Sequence, residues 1–202
     1  AYFFNAFGTN VTVVEMLPRI LPLEDHEISE ELRKILARKK IKFFTDARLE
    51  NVELKEGKVH STVTISGGET RTIVTDKALI AVGRRPVSEG IGLEKVRIAI
   101  SRGCIPVDEH METNVQGFFA IGDVVPTQQL AHLASHEGIL AMSHIAGEET
   151  KPINYDQVPN CTYCHPEVAS VGLTELAAKE RGHEVITSKF PFAAIGKATI
   201  LG

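Results

Sequence analysis

The chain has 202 residues, of which 43% are hydrophobic and 24% charged, with a formal net charge of −4. That length holds one large domain or two small ones, and the acidic balance argues against nucleic acid as the main partner. No apolar run is long enough to span a membrane, no signal peptide is evident, and three cysteines fit a reducing, cytoplasmic setting rather than a disulfide scaffold.

Residues 1–7 are in apolar periodicity from the start, with no starter Met and no N-cap, and read as the back half of a helix that Gly8 ends. Val11-Thr12-Val13-Val14 is a β-branched strand ending in Glu15. An acidic residue at that place in a dinucleotide-binding βαβ unit accepts the ribose hydroxyls of NAD, although a glutamate at a strand end is more often simply solvated. Residues 25–40 form an amphipathic helix with Ile28, Leu32, Ile35 and Leu36 as its stripe. Acidic residues crowd its start and basic ones its end, which complements the helix dipole. Residues 41–44 return to strand. Segments 48–54, 58–65 and 69–75, joined at Glu56-Gly57 and Gly67-Gly68, read as a β-meander.

Residues 77–82 are an apolar run expected to be a buried strand, with Gly83-Arg84-Arg85-Pro86 at its carboxyl end. The stretch to Asp108 is loop-rich, with a short strand expected at 105–107 and an idle thiol at Cys104. Phe118 to Ile121 read as a second buried parallel strand, which brings Gly122-Asp123 to its carboxyl end, where ligands of open α/β sheets bind. A carboxylate there can accept charge-assisted hydrogen bonds from sugar-like hydroxyls; the competing reading is an aspartate that caps the next helix. That helix spans 128–146, with Leu130, Leu133, Ala134, Ala141, Met142 and Ile145 available for packing, and Gly147 stops it. His132 and His136 share one face but have no evident third metal ligand.

Residues 151–154 read as a linker. Alternation from 158 to 171 suggests a new sheet, and 174–182 a short helix capped by Thr174 and ended by Gly182. Cys161-Thr162-Tyr163-Cys164 is a CxxC without a following helix start to lower a thiol pKa and without a second pair to complete a zinc site, so we read two unlinked cysteines. Residues 198–202 read as the beginning of a strand. Both ends look cut, and we expect a piece of a longer protein.

Together these segments resemble the flavin- and pyridine-nucleotide-dependent disulfide oxidoreductases. The resemblance covers nearly the whole chain in order. It rests on Glu15, on Ala81-Val82-Gly83-Arg84-Arg85-Pro86 and on Thr113 with Ala120-Ile121-Gly122-Asp123. It rests also on Leu130-Ala131-His132 with Glu137-Gly138, on His165-Pro166-Glu167-Val168-Ala169 with Val171-Gly172, and on Phe190-Pro191-Phe192. The Leu-Ala-His and His-Pro-Glu triplets favour the lipoamide branch over the glutathione and mercuric reductases.

The resemblance implies an α/β fold with Rossmann-like FAD- and NAD-binding domains in three layers, carrying a β-meander, and the start of an α+β interface domain. It divides the chain into the later NAD-binding domain (1–86), the returning FAD-binding segment (87–154) and the beginning of the dimerisation domain (155–202). It implies Glu15, Leu49 and Gly83 at NAD, and Asp123, Gln129, Leu130, Ala131 and His132 at FAD. It implies a homodimer that works on the lipoyl domains of 2-oxo acid dehydrogenase or glycine cleavage complexes. The family's redox cysteine pair, its glycine loops and its catalytic His-Glu pair fall outside this sequence, so no catalytic residue is assigned here and the chain alone is expected to be inactive. The position of Cys164 is usually threonine in the family. The alternative is a non-catalytic nucleotide-binding or dimerisation module.

Overall fold

The computed structural model describes the backbone of residues 1–201 and side chains to residue 200. It divides into two compact units, one made of Ala1–Ala78 with Pro159–Gly202 and the other of Leu79–Val158.

In the first unit, helix α1 (Tyr2–Ala6) ends where Gly8, at φ +86°, donates its N–H to the Asn5 carbonyl at 2.9 Å. Strand β1 (Thr12–Val14) pairs in parallel with β2 (Lys42–Phe44) in the register Thr12↔Lys42, Val13↔Phe43, Val14↔Phe44. The connection between these strands carries α2 (His26–Arg38), the crossover that a parallel pair requires. Leu32 and Leu36 of α2 are buried with Ile41, against Val11, Val13 and Phe43. The stripe differs from the expected one at its first member. Ile28 is exposed, and Ser29 is fully buried instead, because its hydroxyl donates to the Ile20 carbonyl and so satisfies both groups out of water.

The expected meander is present as β3 (Arg48–Lys55), β4 (Lys58–Thr64) and β5 (Thr70–Thr75), all antiparallel, with a register break between Leu49 and Asn51. Its turns fall at the predicted glycines, where Gly57, Gly67 and Gly68 all have positive φ.

Two apolar runs expected as buried parallel strands are not strands. Residues 77–82 join no ladder, and Leu79 and Val82 are 71% and 89% exposed. Phe118–Ile121 makes a single antiparallel bridge, Glu112↔Phe119, with Ala120 buried and both ends of the run exposed. Nor is 105–107 a strand, although Ile105 is buried and its N–H donates to the Val124 carbonyl at 2.8 Å. Apolar continuity records that a segment can be buried; it does not supply the neighbouring strand that would pair its backbone.

The second unit is organised instead by α3 (Ala131–Ile145), which begins later than the predicted 128 and ends before Gly147 at φ +76°. Its buried face is Leu133, Glu137, Leu140 and Ala141, while Met142 and Ile145, expected in the core, are exposed. Leu140 and Ala141 pack with Met111, and a second small cluster joins Ile105, Ala120 and Val125.

The chain then returns to the first unit. Strands β6 (Asn160–Thr162) and β7 (Val168–Ser170) pair antiparallel, and Val168 joins the α2 core. Helix α4 (Glu175–Glu180) is capped as expected, the Thr174 hydroxyl oxygen accepting from the Ala177 N–H at 3.2 Å, with Gly182 at φ +83° beyond its end. Three acidic residues at the start of α2 hold this returning segment rather than only facing the helix dipole. Buried Glu24 accepts from Asn160 and Ser170, both at 3.2 Å; Asp25 accepts the Glu175 N–H at 2.9 Å; Glu27 pairs with Lys189 at 2.6 Å. The expected final strand at 198–202 is a helix, α5 (Gly196–Leu201), following a tight turn at Phe192–Ala194; Gly202 lies outside the described residues. Unlike the β-branched runs, Gly-Lys-Ala-Thr-Ile-Leu also carries Lys, Ala and Leu, which suit a helix.

Candidate functional site

The residues singled out near position 123 come together on one turn and one helix. Ile121 is extended, and a single 3-10 turn, Gly122–Val124, follows it, with Gly122 at φ +74°. A β-carbon at Gly122 would stand 3.3 Å from the Ala134 β-carbon, and one at Gly138 would stand 3.2 Å from Ile121 Cδ1. Glycine at these two places lets the turn and α3 lie against one another.

Asp123 projects from this turn with its side chain 44% exposed, and its Oδ2 lies 3.0 Å from Arg84 Nη2. The helix-cap reading of Asp123 is not supported: α3 starts at Ala131 with Leu130 in the cap position and no side-chain cap bond. Gln129 donates through Nε2 to the Asp123 carbonyl at 3.3 Å, which ties the run before α3 back to the turn. Gln129, Leu130, Ala131 and His132 lead into the amino end of α3, where Ala134 is already bonded back to the Leu130 carbonyl at 3.0 Å. Amide groups ahead of that bond point out along the helix axis and favour negative charge. Gly83 is exposed at φ +119°, next to Arg84. Thus a carboxylate, a guanidinium and a helix amino end meet at one face of the second unit.

The other two predicted residues lie in the first unit. Glu15 directly follows β1 and is half-buried; its Oε1 accepts the Leu17 N–H at 2.8 Å, while its backbone joins Phe44 and Ala47. Arg19, the nearest basic residue along the chain, donates through Nη2 to the Pro22 carbonyl at 2.9 Å. Leu49 is exposed on β3, two residues beyond Ala47.

The sequence pattern included Glu137 in a family segment but gave it no role. It is fully buried, and its carboxylate accepts the Gly122 N–H at 2.7 Å and the Thr127 hydroxyl at 2.8 Å. It also holds the hydroxyl of Tyr155, whose pKa is raised by burial first and then by the Glu137 charge and hydrogen bond. A signal for it existed: Glu137 stands four residues after Leu133 and four before Ala141, on the apolar stripe itself.

All three cysteines are free. Burial, and then the Glu167 charge, raise the Cys164 pKa against the opposing pull of Lys39, and the thiol faces the Pro166 carbonyl at 3.0 Å. A redox thiolate needs the reverse environment. Among the described residues no group of three or more His, Cys, Asp or Glu side chains could hold a metal ion, and no helix is long and apolar enough to cross a membrane.

Residues 1–138 match the pyridine nucleotide-disulphide oxidoreductase family, and residues 158–202 match the dimerisation domain of the same family. The chain belongs to the pyridine nucleotide-disulphide oxidoreductases. Members of this family similar to it include dihydrolipoyl dehydrogenase of Bacillus subtilis, 46% identical over 203 residues, and that of Rhizobium etli, 44% identical over 203 residues. Each alignment takes in 100% of this chain but only 43% and 42% of the relative. The chain therefore spans about two fifths of the length of these curated relatives. Among solved structures, LpdA from Mycobacterium tuberculosis superposes with a TM-score of 0.88 at 30% identity, over 99% of this chain and 43% of that one. The HOCl-induced flavoprotein disulfide reductase RclA from Escherichia coli gives 0.86 at 28% identity, over 99% and 45%. The fold of the family is the expected α/β arrangement; the meander falls within the first of the two matched stretches and the β6–β7 pair within the second.

Proposed function

We propose that this chain is part of a cytoplasmic, homodimeric dihydrolipoyl dehydrogenase that uses FAD and NAD and serves lipoyl domains of 2-oxo acid dehydrogenase or glycine cleavage complexes. The observation that carries the proposal is the 44–46% identity to enzymes of that name across the whole chain. Curated relatives at 39–46% identity carry the name dihydrolipoyl dehydrogenase, which makes a different disulfide reductase the weaker reading. We assign 1–86 to the NAD-binding domain, 87–154 to the returning FAD-binding segment and 155–202 to the interface domain. The dimerisation match from residue 158 supports the last boundary and the homodimer.

The donor set fits both cofactors. Asp123 offers a partly exposed carboxylate to the flavin's polyol chain. The amino end of α3, reached through Gln129, Leu130, Ala131 and His132, suits the pyrimidine edge of the ring, where reduction places negative charge. Glu15 keeps Oε2 clear of its bond to Leu17 and would accept from an adenosine ribose, with Leu49 of the same unit at that cofactor. The flavin, once bound, would supply the two-electron relay from a dithiol to NAD, with a disulfide, NADH and one proton as products. This chain's residues hold and orient; the thiols that take the first electrons are not Cys161 and Cys164. The test is steady-state turnover of the whole protein. Dihydrolipoamide with NAD should be a far better substrate pair than glutathione disulfide with NADPH, and the opposite ranking would overturn the assignment.

A further inference from the structure

An unneutralised carboxylate in a protein interior is costly unless several donors satisfy it, and an apolar residue would pack α3 better. Glu137 nevertheless occupies the centre of that buried face, between Leu133 and Ala141. Its donors come from three separate stretches: the turn at Gly122, the loop at Thr127 and the segment after α3 at Tyr155. One of these bonds, at 2.7 Å, comes from the backbone of the residue that immediately precedes Asp123. The close approach of Gly122 to Ala134 and of Gly138 to Ile121 presses the same turn from the helix side.

We propose that Glu137 is a positioning residue for the flavin: by holding the Gly122 N–H it fixes where the Asp123 carboxylate stands, and so sets FAD affinity. The inference rests on Asp123 being a flavin ligand. It goes further in giving a residue with no surface of its own a specific effect on binding. Leucine at 137 keeps much of the volume but leaves the Gly122 N–H without its acceptor. Glutamine keeps an oxygen for Gly122, and its amide can donate to the Thr127 hydroxyl, which rotates to accept. Leu140, one turn along α3 in the core beside Met111, supplies a control that loosens the same helix without touching the turn.

The test titrates FAD into the apo form of the whole protein and measures apo Tm for Glu137→Leu, Glu137→Gln, Leu140→Ala and Asp123→Ala. Glu137→Leu and Asp123→Ala should each raise the FAD Kd by about tenfold or more, whereas Glu137→Gln and Leu140→Ala should stay within about threefold. Leu140→Ala should lower Tm at least as far as Glu137→Leu, because it opens a core cavity. If Glu137→Leu does not fold, Glu137→Asp carries the test: its shortened carboxylate loses the reach to Gly122, so its Kd should rise by about tenfold. Loss of FAD in proportion to Tm across Glu137→Leu and Leu140→Ala would overturn the proposal. An unchanged Kd in Glu137→Leu, or in Glu137→Asp where that replaces it, beside a raised Kd in Asp123→Ala would overturn it and leave the Asp123 reading standing. An unchanged Kd in Asp123→Ala would remove that reading and the proposal together.

Discussion

Replacing Glu15 with alanine should erase much of the preference for NAD over NADP in the whole protein. The structure sets the size of the effect. Oε1 is held by the Leu17 N–H at 2.8 Å, so the carboxylate is already oriented and Oε2 is the oxygen clear of that bond. One charge-assisted hydrogen bond from a ribose hydroxyl is worth about 1.5–3 kcal/mol, and its loss should lower kcat/KM for NAD by roughly ten- to a hundredfold. NADP carries a phosphate at the 2′ position, where Glu15 repels it by about 1 kcal/mol per unit charge at contact distance in a water-like dielectric. Arg19 donates through Nη2 to the Pro22 carbonyl, which turns that end of its guanidinium towards its own loop. The variant should therefore lose NAD activity while keeping or gaining NADP activity. Its Tm should barely move, because the bond to Leu17 is exposed. The assay is kcat/KM for both nucleotides at fixed dihydrolipoamide, on wild type and Glu15→Ala. A wild type that prefers NADP, or a selectivity ratio untouched by the substitution, would refute the reasoning.

Asp123→Ala should leave the Tm of the apo protein nearly unchanged, since its ion pair with Arg84 is solvent-exposed and worth at most about 1 kcal/mol, while FAD retention falls; a thermal melt of the apo protein checks the first half and equilibrium dialysis of the flavin the second. Exposed Cys161 should alkylate faster than Cys164, whose raised pKa keeps it a thiol, and the rate at Cys164 should climb only at higher pH; peptide mass mapping reads each site. Cys161→Ser with Cys164→Ser should leave dihydrolipoamide turnover intact. For Tyr155 the folded pKa lies above the unfolded one, so its contribution is complete below the ordinary tyrosine value of about 10 and is lost as pH rises through the folded pKa. Thermal melts across that alkaline range should therefore show a decline that is shallower in Tyr155→Phe.

Local chemistry was legible where short-range rules decide the outcome. The meander followed from its glycine turns, α4 from Thr174 and Gly182, and the end of α1 from Gly8. What depends on distant partners was not. The runs 77–82 and Phe118–Ile121 have the composition of central strands, but ladder pairing is a property of neighbours that hydrophobicity does not report. The grouping of Asp123 with Gln129 was implied by the resemblance to the family, and the structure joins the two by the bond from Gln129 to the Asp123 carbonyl. The Arg84 partner of Asp123 and its buried support at Glu137 were not implied, because a charged residue on an apolar stripe reads as an interruption until its donors are known. The same holds for Glu24 and Asp25, read as dipole partners of α2 and found instead gripping β6, β7 and the start of α4.

The most direct test of the proposed activity is anaerobic reduction of the whole purified protein by dihydrolipoamide, followed in the visible flavin absorbance, with NAD added afterwards. The flavin band should bleach on addition of the dithiol and return as NADH forms, both in wild type and in the variant carrying Cys161→Ser and Cys164→Ser. A protein that shows no flavin band, whose band ignores the dithiol, or that stops responding when those two cysteines are replaced would contradict the account.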